Sequence, residues 1–502
     1  MTDAPHSSGP APDHRFKALG AVLVLVLLVV VVTRVSLRRA LPELGWPDEW
    51  IYLTLARNIV ERGTLNTNFY IASSIETLGY PHRDVHLPGY ALALAAIGSW
   101  RGYSFDTAVV LNVVCFGISV LSAFLLARAF FSTERSLVAA SLVAVLPPYP
   151  GYLAVVYPEH VTATALMVLV AAAVWIRGRL ATFLLGVSLG ASLLFRETLL
   201  FATPLLAHIL GVRRATRFFL PGLLLALATI LPPLSANRAV HPNALYPSAF
   251  TEALRTPEPI TRLAATIAKN AQINLDLLLT SNPRERAEDA VLLFLLSLAL
   301  LALLATFCLE GPLRSFVRAT LLSTALLFAA MVLIYVVRER GGVWGGVRAL
   351  MPMAPVLVIG LCGVKVARLP AGVLLAALVS SSLFLDSWQI AFFNRYKATN
   401  LEDQDRAATF IEERTRRFAP RRVVGGRYFQ YGFRNFPVEV VWSEADDMDS
   451  LNRLYTKAPF DFVVIHRRSP MRFDLRKDIR YEWLNAEEGQ AAEYQIYRRV
   501  QP

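Results

Sequence analysis

Apolar residues arrive in long blocks up to about residue 393, and short polar turns, most of them basic, separate the blocks. A hydrocarbon core takes about 20 residues of helix to cross. The blocks at 17–36, 106–131, 136–154, 158–176, 180–195, 198–211, 217–235, 289–309, 315–337, 349–367 and 370–392 reach or approach that length. The pattern predicts an α-helical polytopic membrane protein with about eleven transmembrane helices. The first block follows Arg15 and Lys17 and is trailed by Arg38, Arg39 and Pro42, with no small-residue cleavage site, so it reads as an uncleaved first helix.

The turns set the orientation. With residues 1–16 as a cytoplasmic tail, Arg15/Lys17, Arg128/Arg135, Arg177/Arg179, Arg213/Arg214/Arg217, Arg314/Arg318 and Lys365/Arg368 all fall on the inner side. Short basic loops stay inside. Everything large is then expected outside the membrane: residues 37–105, residues 236–288, a Gly-rich turn at 338–348, and a tail from 394 to 502. The spanning unit is 17–393, and no inner loop has room for a nucleotide-binding domain.

Within the first outer loop, residues 48–63 have helical periodicity, with Ile51, Leu55 and Ile59 forming an apolar stripe behind Asp48 and Glu49. Such a stripe suits an amphipathic helix in the membrane interface, its carboxylates at the favourable end of the helix dipole. Residues 87–100 predict a second interfacial helix, and 258–280 a third amphipathic stretch. The tail changes character: a polar helix at 401–418, strands at 422–427, 437–442 and 460–466, and a helix near 447–458 predict a small C-terminal α/β domain.

Composition narrows the class. Hydrophobic residues make up 55% of the 502, and charged residues 18%. The net charge of +12 is scattered between apolar blocks, which suits membrane orientation and does not suit nucleic acid. Three cysteines, each in an apolar block, cannot make a disulfide framework. Residue usage rich in Ala, Leu, Arg and Val suggests a bacterial chain, hence the cell inner membrane.

Candidate chemistry gathers on the outer side. Asp48-Glu49 reads either as the cap of an interfacial helix or as a general base, which contributes roughly 10²–10⁴-fold when held against an acceptor hydroxyl. Glu159 and His160 open a spanning helix and place a second carboxylate on the same side. Arg196-Glu197 interrupts two apolar blocks, as an intramembrane ion pair or as a guanidinium for a lipid-linked phosphate. Arg83, His86, Arg338, Arg340 and Arg348 add positive charge there, as headgroup anchors or as part of an anion site. Asp48, Glu49, Glu159 and His160 could also ligate a divalent metal, but no spacing forces a site and the metal stays open.

The strings PDEWIYLTLARNIVERG (47–63) and HLPGYALALAAIG (86–98), followed by YPEHVTATAL, GVSLGASLLFRETLLFATP and VRALMPMAPVLV, resemble the GT-C superfamily of membrane glycosyltransferases. The likeness is to its polyprenyl-phosphate-sugar-dependent branch: bacterial aminoarabinose transferases, glycosyltransferase family 39 and the protein O-mannosyltransferases. It implies an inverting transfer of a sugar from a polyprenyl-phosphate carrier to a hydroxyl of a glycan, lipid or protein acceptor on the outer face. It also implies roles at matching positions: Asp48 as base with Glu49 in support, Glu159 as the second acid, and His86, Arg196 and Arg348 at the donor phosphate. His160, Arg83, Arg338 and Arg340 would support them. The chain departs from the family at two places, with His86-Leu87-Pro88 for a usual Lys-Pro-Pro and Arg348-Ala349 for Arg-Tyr. Rival readings are a transporter or flippase of lipid-linked sugars, a polysaccharide polymerase or ligase, and an envelope scaffold. Against a transporter stand the lack of an inverted repeat and the large outer domain.

Overall fold

The computed structural model describes residues 47–66, half of 69–80, residues 87–240 apart from most positions between 147 and 154, residues 283–337 and 350–364, and parts of 20–32 and 406–500. Of the expected sites, Arg83, His86, Arg338, Arg340 and Arg348 lie outside the described residues, as do the helices expected at 258–280 and 370–392. Asp48 is placed in its helix by its backbone alone.

The helical unit comprises α1 (Pro47–Arg62), α2 (Gly89–Arg101), α3 (Phe105–Arg128), α4 (Thr133–Ala144), α5 (Glu159–Trp175), α6 (Arg179–Ser192), α7 (Thr203–Leu210), α8 (Leu220–Val240), α9 (Pro283–Cys308), α10 (Gly311–Val337) and α11 (Ala354–Leu361). Among the described residues one helix, α3, is both long and apolar enough to cross a membrane by itself; α5, α6 and α11 are shorter apolar helices. Ser104 caps α3, its hydroxyl accepting from the Thr107 N–H at 3.3 Å. α3 then exposes Val114, Ile118, Leu121 and Leu125, spaced four, three and four residues apart on one face. α9 adds Leu300, Leu304 and Phe307, and α10 adds Leu322 and Leu326. Contiguous exposed apolar faces of this kind suit contact with lipid chains and not with water.

Three expected elements differ from those found. The block at 136–154 gives a helix that stops at Ala144, because Pro147, Pro148 and Pro150 follow and proline can neither donate to nor fit within a continuing helix. The block at 198–211 splits into a 3₁₀ segment, Glu197–Ala202, and α7. The helices flanking the second outer loop reach into it, α8 to Val240 and α9 from Pro283, so its ends at 236–240 and 283–288 are helical. α1 itself is as expected in extent, but more than one stripe is buried: Tyr52, Leu53 and Ala56 are covered along with Ile51 and Leu55. It packs against α2 and adjoins the sheet.

The basic turns collect at one end of the bundle. Arg128 donates to the Phe131 carbonyl at 2.8 Å, Arg214 donates to the Arg177 carbonyl, and Arg179 lies over the Phe218 ring. Trp175, at the end of α5, donates its indole N–H to the Leu125 carbonyl near the end of α3 at 3.0 Å. The seventeen residues of α5 put this end about 25 Å from Glu159, close to the thickness of a hydrocarbon core.

The C-terminal part forms a six-stranded sheet, ordered β1-β3-β2-β4-β6-β5, from β1 (Phe69–Ile71), β2 (Arg422–Gly425), β3 (Glu439–Trp442), β4 (Phe462–His466), β5 (Tyr481–Trp483) and β6 (Tyr494–Arg499). β1 through β4 pair in parallel, and β6 runs antiparallel to both β4 and β5. The edge strand β1 comes from the first outer loop, so a segment for which the sequence pattern predicts no element pairs with the C-terminal strands. Helix α12 (Met448–Lys457) is the crossover from β3 to β4 and buries Leu451 and Leu454 on the face carrying Val424, Val441 and Val463. The alternate positions Val423, Phe462, Val464 and Ile496 face Ala407 and Ile411 and join the core of the helical unit. Burial of both faces is what mainly parallel strands require.

Candidate functional site

Away from the basic end, six segments of the helical unit converge on a group of buried polar side chains. Glu49, in the first turn of α1, is fully buried, and its Oε1 accepts from the Val156 N–H at 2.7 Å. Asp48 precedes it in the same turn. Glu159 opens α5, is also fully buried, and its Oε1 lies 2.5 Å from Nη2 of Arg196. The Arg196 side chain retains 20% exposure. The ion pair considered for Arg196 in the sequence was with its neighbour Glu197; the partner found is Glu159, on another helix. The other oxygen of Glu159 has no hydrogen-bond partner among the described residues.

Sequence reasoning passed over two residues that join these pairs. Tyr90, in the first turn of α2, is fully buried and donates to Asn112 Oδ1 at 3.4 Å. Asn112 Nδ2 donates to the carbonyls of Val155 at 2.7 Å and Leu153 at 3.4 Å. Burial, with Glu159 and Glu49 close by, raises the Tyr90 phenol well above its ordinary pKa, and the bond to Asn112 opposes that rise. Both acids are therefore near one phenol. The signal was available: a lone asparagine among apolar residues in DTAVVLNVVCFG is an expensive group to bury and marks a partner.

α2 enters the site under a tight constraint. The Gly89 N–H donates to the Leu194 carbonyl at 2.9 Å, and a Cβ at Gly89 would lie 2.6 Å from that same carbonyl group. Only glycine lets the backbone at 88–90 pass this close to the exit of α6, two residues before Arg196.

His160 turns away from the acids. It is fully buried against the rings of Tyr149 at 4.7 Å and Phe116 at 5.8 Å, and neither ring nitrogen makes a hydrogen bond of ordinary geometry among the described residues. Among the described residues no three of His, Cys, Asp and Glu come together as a metal set, and one oxygen of each acid is engaged, by the Val156 N–H and by Arg196.

No protein-family model matches the chain, and no curated protein matches it. Among solved structures it is similar to the oligosaccharyltransferase of Archaeoglobus fulgidus, in a complex described as containing Zn and sulfate, at 14% identity and a TM-score of 0.48, over 88% of this chain and 68% of that one. The same archaeal protein, AglB, with an inhibitory peptide and a dolichol-phosphate, gives 13% and 0.48 over 89% and 69%. ArnT from Cupriavidus metallidurans in the apo state gives 12% and 0.48 over 96% and 98%.

Proposed function

We propose that the protein is an inverting glycosyltransferase of the inner membrane that moves a sugar from a polyprenyl-phosphate carrier to an acceptor hydroxyl on the outer face. The observation that carries the reading is the buried Glu159–Arg196 pair beside Glu49, with Asp48 next to Glu49 in the first turn of α1. A base and a partly exposed guanidinium on one rim, at the end of the bundle opposite the basic turns, suit a substrate that is half lipid and half anion.

In this reading Asp48 takes the proton of the acceptor hydroxyl as its oxygen attacks the anomeric carbon. The bond from that carbon to the phosphate oxygen breaks on the opposite side, and polyprenyl phosphate leaves with the electron pair. Arg196 stabilises the charge that grows on the phosphate, as a preorganised donor whose place is fixed before reaction. His86 and Arg348 are assigned to the same phosphate by resemblance alone, as are Arg83, Arg338 and Arg340 in support. Glu159 orients Arg196. No step is routed through a metal, because the described donors do not form a set for one.

The donor's lipid has a suitable place. An apolar cavity of about 300 Å³ lies between α9, α10 and α11, lined by Leu295, Leu303, Leu321, Phe328, Leu350 and Leu357.

The test compares wild type with Asp48→Asn in detergent, supplied with membrane lipid extract containing polyprenyl-phosphate sugars. Mass spectrometry follows loss of the sugar phospholipid and release of polyprenyl phosphate. Wild type is expected to consume donor and the folded variant to do so about a hundredfold more slowly. Donor that binds to wild type without being consumed would favour a flippase.

A further inference from the structure

The connection between α4 and α5 carries little regular structure, yet it supplies the N–H that holds Glu49 and the turn that launches Glu159. Its own support comes from α3. The Val155 carbonyl and the Val156 N–H belong to one peptide plane, and that plane is gripped on both edges: Asn112 Nδ2 donates to its oxygen at 2.7 Å, and its N–H donates to Glu49 Oε1 at 2.7 Å. Rotating this peptide would break both bonds together. Asn112 is itself held in one sense, since its Nδ2 faces two carbonyls while Oδ1 receives the Tyr90 hydroxyl. An amide turned the other way would set oxygen against oxygen.

We propose that Asn112 is a positioning residue for the transfer reaction: by fixing the 155–156 peptide plane it fixes Glu49, and with it the turn that carries Asp48. Its catalytic consequence rests on the glycosyltransferase reading; the structural link does not. The physical logic has three parts. A fully buried amide is costly unless bonded, so Asn112 is anchored by its partners. A carbonyl that accepts a strong bond makes the N–H of the same peptide a better donor, so Asn112 strengthens the hold on Glu49 across the plane. Val155 and Val156 themselves lie in neither a helix nor a strand, so the plane is not set by a backbone ladder.

The experiment uses the full-length protein with three variants: Asn112→Leu, which keeps the shape and removes both amide functions; Asn112→Asp, which offers a hydrogen only when protonated; and Tyr90→Phe, which removes the phenol link and leaves the clamp. Two readouts are taken, donor turnover and hydrogen exchange of the peptide containing the Val156 amide. Asn112→Leu is expected to lose about tenfold or more in kcat with donor KM changed less than about threefold, and to speed Val156 exchange about tenfold, the equivalent of one lost hydrogen bond. Asn112→Asp should regain turnover as pH falls, because its protonated carboxyl can donate to the Val155 carbonyl while its anion repels it; wild type should lack that regain. Tyr90→Phe should leave Val156 exchange near wild type. Faster exchange with unchanged turnover, or slower turnover with unchanged exchange, would overturn the proposal. If wild type consumes no donor at all, the transferase reading falls, and the exchange readout alone decides whether Asn112 holds the plane.

Discussion

Glu159 Oε1 and Arg196 Nη2 stand 2.5 Å apart, joining the first turn of α5 to the segment that leaves α6. Glu159 is fully buried and Arg196 partly so, which makes the pair costly to break, most of all from the Arg196 side, where the buried carboxylate would be left alone. A carboxylate or a guanidinium left alone in such a place costs about 3 kcal/mol or more, whereas removing both leaves nothing uncompensated.

The expected outcome is a double-mutant cycle that is far from additive. Glu159→Gln and Arg196→Met should each lower the thermal transition in detergent, and the double variant should lie above the worse single. Arg196→Lys keeps charge but loses the planar fork, so it should retain most stability while raising donor KM severalfold. Additive losses would mean that the two side chains do not depend on each other.

How much of this could be read in advance depends on the range of the interaction involved. α3 and α5 are written in local hydropathy, and their bounds fall within a few residues of the blocks expected. The strands at 422–425, 439–442 and 462–466 are likewise local, short valine-rich runs. β1 is not: Phe69–Ile71 is short and becomes a strand only because β3, about 370 residues later, offers it an edge. The partner of Arg196 was equally invisible, since Glu197 is adjacent in sequence and Glu159 becomes adjacent only when α5 and α6 pack. Of the residues singled out by charge, Glu159 and Arg196 pair in the fold, Glu49 is held by Val156 three residues before Glu159, and Asp48 shares a turn with Glu49; Arg83, His86, Arg338, Arg340 and Arg348 lie outside the described residues, and all their roles are proposals.

The contact between α6 and α8 yields a second prediction, about stability alone. A Cβ on Gly186 would lie 2.0 Å from the Phe219 carbonyl oxygen, and one on Gly222 would lie 2.2 Å from that of Phe183. Backbone meets backbone here, the arrangement by which small residues let helices approach inside a membrane. Gly186→Ala should cost about 1–3 kcal/mol through forced separation. Gly117, inside α3, supplies the control, because a Cβ there would meet nothing within 4 Å. Gly117→Ala should be neutral or gain about 0.5–1 kcal/mol, as helix-interior glycines do when space allows. Thermal unfolding of the two variants side by side checks the pair, and equal effects would deny the close approach.

Sidedness is the prediction on which the chemistry most depends. The reading requires the Arg177 and Arg213 turns inside, and the sheet with Lys477 outside, since a flipped donor meets its acceptor only on the outer face. Arg213 and Lys477 are both exposed, so cysteine at either position can be reached by reagent. Cys308 is exposed as well and has to be replaced first, with Cys115 and Cys362, to give a silent background. In intact cells stripped of any outer barrier, a membrane-impermeant maleimide should label Lys477→Cys at once and Arg213→Cys only after the membrane is opened. The reverse pattern would put the Glu49–Glu159–Arg196 rim on the cytoplasmic side. The basic turns would then all have been translocated against the charge rule that governs short loops, and the donor would have to be used before any flipping.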